Sequence, residues 1–208
     1  MKRSLLIAGL VLMIVQGYAQ TIRWAKGEDL NFLDGEKTLK ILICYDSMTF
    51  DNGKSEMAYQ EEVAKAYDAE VPGKGQKYLE RWKLSKENVF TDYFMKDFPK
   101  AMGKFKIKAG PDVKGNKYLM KIYPLTVTTG AAAMPFQRGA PAYTDFRISF
   151  VEEADPKNEV GSVFIYQVMG TPVGYDMDQS FIGRFKNCFW FGGMALGRDM
   201  VRIKKAKK

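Results

Sequence analysis

Thr144, Phe146, Ile148 and Phe150 alternate with Asp145, Arg147 and Ser149. A period of two places one side of a strand against a core and the other toward water. The segments around it extend the pattern. Lys117 to Thr129 reads as a long strand, and Ser162 to Met169 as another, with Asp155–Pro156–Lys157–Asn158 as a turn between. Together they predict an antiparallel meander. Pro124 interrupts the first of these strands. It has no N–H for a ladder, so an edge position or a bulge is expected there.

The remaining segments supply the other elements. Residues 20–38 read as an extended lead-in, pinned to the body by Trp24, Leu30, Phe32 and Leu33. Leu39 to Tyr45 is a near-continuous apolar run, the pattern of a strand covered on both faces. Ser55 to Ala69 predicts an amphipathic helix with Met57, Val63, Ala64 and Tyr67 on its apolar face. A second helix carries Tyr78, Leu79 and Trp82, and Ser85 is the expected N-cap of a third. Phe90, Tyr93, Phe94, Phe98, Ala101 and Met102 recur at helical steps, with a break expected at Pro99. Phe105 to Lys108 reads as a short edge strand. A long helix from about Asp178 to Ile203 closes the chain. Its apolar face includes Phe181, Phe185, Cys188, Phe189, Gly192, Ala195, Leu196 and Met200. Each glycine there costs roughly 1 kcal/mol against alanine, which close packing on a sheet would offset. The fold class expected is α+β. It is a mixed, mostly antiparallel sheet with helices packed on one face, in the order strand, helices, meander, long C-terminal helix.

Met1–Lys2–Arg3, the apolar run Leu5 to Val15 and the small residues Gly17 and Ala19 form the pattern of a secretory signal peptide. Cleavage near Ala19 predicts an exported chain, periplasmic or secreted. Residues 20–208 are then a single globular domain with a basic C-terminal tail. The apolar run is shorter than the roughly 20 residues of a membrane span. No transmembrane segment is expected in the mature chain.

The net charge is +8, and Arg202, Lys204, Lys205, Lys207 and Lys208 concentrate part of it at the C-terminus. The ordinary reading is a solvated helix end whose cations favour the negative pole of the dipole. The sharper reading is contact with anionic lipid or phosphate. No nucleic-acid module is visible, so a nucleic-acid partner is not expected.

The chain has no histidine. Ser-His-Asp and Cys-His mechanisms are therefore excluded, as are His-ligated zinc sites. Two cysteines, Cys44 and Cys188, cannot make a four-thiolate metal site. An exported compartment permits a Cys44–Cys188 disulfide, although both lie in apolar context and read equally as small buried hydrophobes. Asp46, Asp51, Asp176, Asp178 and Asp199 are candidate acids for glycosidase-type chemistry. Asp46 and Asp51 have ordinary turn roles available, and Asp178 an N-cap role. Asp176–Met177–Asp178 lacks the oxygen spacing and closing glutamate of a calcium loop. No catalytic residue, metal or cofactor is expected. The loop Gly130 to Pro141 is longer than a hairpin requires. It presents Met134, Phe136 and Arg138 as the expected partner-binding residues, unless Met134 and Phe136 fold back over the core.

Tyr78–Leu79–Glu80–Arg81–Trp82, Phe90–Thr91–Asp92–Tyr93–Phe94 and Gly174–Tyr175–Asp176–Met177–Asp178 before a Gly/Ala-rich helix resemble segments of a group of uncharacterised exported proteins of Gram-negative bacteria. The order of elements is more distantly similar to TolB-N-terminal and CsgG-like envelope domains. That resemblance implies a sheet crossed by two main helices and a role in envelope assemblies. The chain departs from many such proteins in lacking a lipid-anchor cysteine and in the extended segment from Ser55 to Leu84. The expected function is non-enzymatic binding of an envelope protein or surface component. The alternatives are a carboxylate-dependent hydrolase or carbohydrate-active enzyme, and a binder of a small apolar or anionic ligand.

Overall fold

A computed structural model describes residues 20–131, 140–171 and 180–207. The strands are β1 (Thr21–Lys26), β2 (Thr38–Ile43), β3 (Thr49–Phe50), β4 (Lys54–Ser55), β5 (Lys108–Gly110), β6 (Tyr118–Thr128), β7 (Ala142–Glu152) and β8 (Glu159–Gly170). The helices are α1 (Glu56–Glu70), α2 (Lys74–Leu84), α3 (Phe90–Met95), α4 (Phe98–Gly103) and α5 (Phe181–Ala206). The strands form one sheet in the order β1-β8-β7-β6-β2-β5. β1, β8, β7 and β6 are antiparallel neighbours, whereas β2 runs parallel to β6 and to β5. The fold is α+β with a mixed, mostly antiparallel sheet and a long C-terminal helix.

The alternation in β7 does what a period of two requires. Phe146, Ile148 and Phe150 are fully buried beneath the helices. On the opposite face Arg23, Phe164, Arg147 and Tyr123 align in one row across four strands. Arg147 pairs there with Glu159 at 2.7 Å. Among the described residues no helix covers this second face, which corrects one expectation. β2 is buried on one side only, and Leu42 is 47% exposed on the other. Pro124 lies in an internal strand, not an edge. The β6–β7 register is irregular between Pro124 and Val127, and on the other side β2 has ended before β3 begins pairing at Thr126. No ladder bond is therefore demanded of its missing donor.

α5 is the centre of the helical layer. Ser180 is its N-cap, its hydroxyl accepting from the Gly183 N–H at 3.1 Å. The expected cap, Asp178, lies outside the described residues. The glycines mark close approach in two directions. A Cβ on Gly192 would stand 3.0 Å from the Phe146 ring of the sheet, and one on Gly193 would stand 2.5 Å from the Phe94 carbonyl oxygen of α3. Aromatic rings fill what remains. Phe189 stacks on Phe90 at 4.9 Å and meets Phe146 and Phe185 edge-on at 5.1 Å each. The last turns of α5 hold much of the basic tail. Lys204 lies over the Phe105 ring at 4.2 Å, and Lys207 donates to the Asp29 carbonyl.

Pro99 stands at the start of α4 and the helix breaks before it, as its missing donor requires. Ser85 does not start a helix. Its hydroxyl donates to the Arg81 carbonyl at 2.8 Å, and the chain continues from α2 through a π-helical turn, Ser85–Val89, into α3. The short strand expected at Phe105 forms later, at β5, because Lys106 takes a left-handed conformation (φ 61°) that turns the chain first.

Both cysteines are free. Cys44 neighbours Lys121 and Tyr123, side chains of the uncovered sheet face. Cys188 is fully buried on α5, with its thiol near the Ala142 carbonyl at 3.8 Å. The sheet stands between the two, so no bond joins them. Burial raises both thiol pKa values, and Lys121 partly offsets the rise at Cys44. Native alkylation at pH 8, read by mass spectrometry, is expected to label Cys44 slowly and Cys188 only after unfolding. Protection of both until a reductant is added would show a bond.

Candidate functional cleft

The helical hairpin α1–α2 leans against the loop after β2 and leaves a cleft of about 620 Å³. The hairpin is fixed by Gly75, whose N–H donates to Asp68 Oδ1 at 2.7 Å and on which a Cβ would collide with the Ala64 carbonyl oxygen of α1. Two other surface grooves are smaller. One, of about 310 Å³, lies on the sheet around Tyr143 and Gln167, and one, of about 370 Å³, lies between α4 and α5. The volume of the cleft falls within the roughly 300–1,000 Å³ of small-ligand sites.

Tyr45 and Trp82 line it, and behind Trp82 lies an aromatic cluster. Phe50 stacks on Tyr59 at 4.3 Å, and Trp82 stacks on Phe181 and Phe185 at 5.8 and 5.9 Å. Trp82 is only 4% exposed, so its indole N–H needs an internal acceptor. Glu56, in the first turn of α1, supplies one at 2.7 Å. The same carboxylate accepts two bonds from Lys86 Nζ, at 2.6 and 2.8 Å. Lys86 also lies 4.6 Å above the Tyr45 ring, and the Tyr45 hydroxyl donates to the Lys86 carbonyl at 3.2 Å. Burial, followed by the nearby Glu56 carboxylate, holds the Tyr45 phenol neutral far above its ordinary range. The π-helical turn is what delivers Lys86 here. One extra residue in the turn re-aims side chains, and such turns concentrate at functional sites.

Gln60 lies one turn beyond Glu56 on the same helix and is 4% exposed. Neither its amide nitrogen nor its amide oxygen has a hydrogen-bond partner among the described residues. Tyr78 stands beside it, with a hydroxyl that is also unpaired. Burial first, then Tyr59 and Tyr67, push the Tyr78 phenol up, and the adjacent amide tempers the rise. The Tyr78 hydroxyl and the Gln60 amide face each other, and all three polar atoms are sealed from solvent. At the mouth, Asp46 and Glu61 are exposed, and Met57 is 71% exposed.

The residues singled out in the sequence distribute unevenly over this geometry. Met134, Phe136 and Arg138 lie outside the described residues, as do Asp176 and Asp178. The loop that carries the first three leaves the sheet where Ala131 bridges Ala140. Asp46 is at the cleft mouth. Asp51 is elsewhere, accepting from the Thr129 N–H at 3.3 Å and hydroxyl at 2.7 Å. Asp199 is on α5, where it accepts from Trp24 Nε1 at 2.9 Å and pairs with Arg202 at 2.6 Å. Among the described residues no three His, Cys, Asp or Glu side chains converge as metal ligands would, and no helix is long and apolar enough to cross a membrane. Met57 was expected in the apolar stripe of α1 and instead faces outward. Gln60 takes the buried position between Tyr59 and Ala64. A glutamine set at helical spacing within that stripe was the one legible signal of the site, and the pattern of apolar residues alone passes over it.

No family model matches the chain, and no curated protein sequence does. Among solved structures, the chain is similar to the PelC dodecamer from Paraburkholderia phytofirmans, with 11% identity, a TM-score of 0.35, and coverage of 81% of this chain and 89% of that one. A variant of the same protein from that organism, also a dodecamer, aligns with 9% identity and a TM-score of 0.33, covering 81% of this chain and 97% of that one.

Proposed function

We propose that this chain is a non-enzymatic binding domain of the cell envelope and that the cleft beside α1 receives its partner. The observation that carries the reading is the cleft itself, walled by Trp82 and the bonded Glu56–Lys86 pair and edged by the exposed Asp46, Met57 and Glu61. The Glu56–Lys86–Trp82 network beside it is fully bonded and fixes the wall, which lowers the ordering cost of binding. The carboxylate-enzyme alternative has less support, since Asp51 and Asp199 already serve structural donors. An anionic ligand is disfavoured by Asp46, Glu56 and Glu61 set against the single cation Lys86 in the lining.

Export is part of the proposal and rests on residues 1–19. The test uses the full chain in cells, with a photocrosslinking residue replacing Met57 at the cleft mouth. A discrete adduct is expected at Met57, absent when the probe replaces Lys157 in the β7–β8 turn, and lost when Leu79→Trp is added to fill the cleft. Equal adducts at both positions, or an adduct indifferent to Leu79→Trp, would sink the assignment of the cleft.

A further inference from the structure

We infer that the open face of the sheet is the contact surface for a second copy of this chain, related to the first by a two-fold axis that runs along the strands. The face is uncovered among the described residues, yet its side chains are not those of a solvated surface. Phe164 stacks on Tyr166 at 5.9 Å, Arg147 lies over the Tyr123 ring at 5.8 Å, and Leu42 is half exposed beside them. Aromatic side chains and arginine are the types enriched where proteins meet.

The register selects the occupant. Arg23 on β1, Phe164 on β8, Arg147 on β7 and Tyr123 on β6 stand in one row, so cation and ring alternate across four adjacent strands. A two-fold axis along the strands, midway between β8 and β7, reverses that row in the second copy. Arg23 then faces Tyr123 of the second copy, and Phe164 faces its Arg147. By symmetry all four positions set a cation against a ring, a contact that strengthens as water is removed. An axis across the strands would set arginine against arginine, so the row complements itself in one orientation only. In the next row Ser162 and Ser149 hold the centre. Small side chains there let two sheets reach the roughly 10 Å of face-to-face packing. Lys26 and Lys121 flank the serines at the rim, where their heads reach water.

Charge and area agree with this occupant. Arg147 is already paired with Glu159, and Lys40 with Glu153. An anionic polymer would therefore find little free charge to hold it, and a second copy has little charge to desolvate. The five strands β1, β8, β7, β6 and β2 have 6, 12, 11, 11 and 6 residues. At about 3.4 Å per residue and 4.8 Å between strands their face spans about 750 Å². Stable interfaces bury about 800 Å² per partner.

The test is sedimentation velocity of the purified protein from about 1 to 100 μM, joined to photocrosslinking with 4-benzoylphenylalanine in place of Tyr123. A monomer–dimer equilibrium is expected within that range. The dimer-sized photoproduct should join position 123 of one copy to β1 of the other. Arg23 is exposed on an edge strand, so Arg23→Glu should leave the melting temperature of the dilute protein unchanged. It should weaken the dimer at least about tenfold, because symmetry counts each change twice. Arg23→Ala, which removes the cation without adding an acid, should weaken it several-fold, and Lys157→Glu in the β7–β8 turn should leave it as it is. A monomer at every concentration would overturn the inference. So would a dimer indifferent to both changes at Arg23, or a photoproduct that joins position 123 to any other strand of the second copy.

Discussion

Phe189→Ala is expected to destabilise the protein by about 3–5 kcal/mol, the usual range for truncating a fully buried phenylalanine. Phe189 is where the sheet and α3 meet α5. Its ring touches Phe146 on β7, Phe90 on α3 and Phe185 one turn back on its own helix. All four rings are wholly inaccessible to solvent. The cavity cannot close by a simple inward shift. Gly193 already holds α5 against the α3 backbone, and Gly192 holds it against Phe146. Rigid neighbours on both sides place the loss toward the upper part of the range. For a chain of this length each kilocalorie lowers the melting temperature by roughly 2–4 °C. A fall of about 10 °C or more in thermal unfolding is therefore expected. A fall of only a degree or two would mean that the helical layer repacks, and that the glycine contacts do not fix it.

Gln60→Leu is expected to act in the opposite direction on stability. The two amide atoms are buried without partners, a cost of roughly 1–3 kcal/mol in proteins. Leucine is similar in length and removes that cost. It also adds apolar contact with the neighbouring Tyr78 and Ala64. The melting temperature should rise by several degrees. A fall in melting temperature would show instead that Gln60 is bonded in the folded protein, and that its role is structural. Gln60→Glu separates the cases further, because a buried carboxylate beside Glu56 would be repelled and would destabilise the hairpin.

Much of the fold could be read from pattern because the sheet is one-sided. In β7 the polar residues Asp145, Arg147 and Ser149 mark the uncovered face, and their alternation leaves little freedom of register. β2 hid the same fact. Its run of Leu39, Ile41, Leu42 and Ile43 is apolar on both sides, so continuity of hydrophobic residues read as two-sided cover. Nothing local distinguishes Leu42 from Ile41. Which is buried depends on strands β5 and β6, supplied much later in the chain. Ser85 misled for a related reason. A serine is a good cap and also a good donor to a carbonyl one turn back, and only the packing of Trp82 and Phe90 against α5 decides that the helix runs on. The candidate cleft was the least legible part. Glu56, Lys86 and Trp82 come together from both ends of the hairpin, and the turn that aims Lys86 has no sequence signature of its own. Asp46 stands out in the sequence as an acid, yet its neighbours at the mouth come from α1, α2 and the turn after it.

The pairing of β1 with β8 also has a consequence for the order of assembly. The Trp24 indole is bonded to Asp199, 175 residues away, and among the described residues β1 has β8 as its single neighbour in the sheet. During synthesis the first strand therefore waits for almost the last part of the chain. β2 waits too, since its partners β5 and β6 follow the helical hairpin. Contacts of such long sequence separation fold slowly, because loop closure is unfavourable until they form. In the interval, both strands present open edges that other chains can pair with. In a nascent chain the edge of β1 stays unpaired until β8 has emerged, and that of β2 until β5 and β6 have.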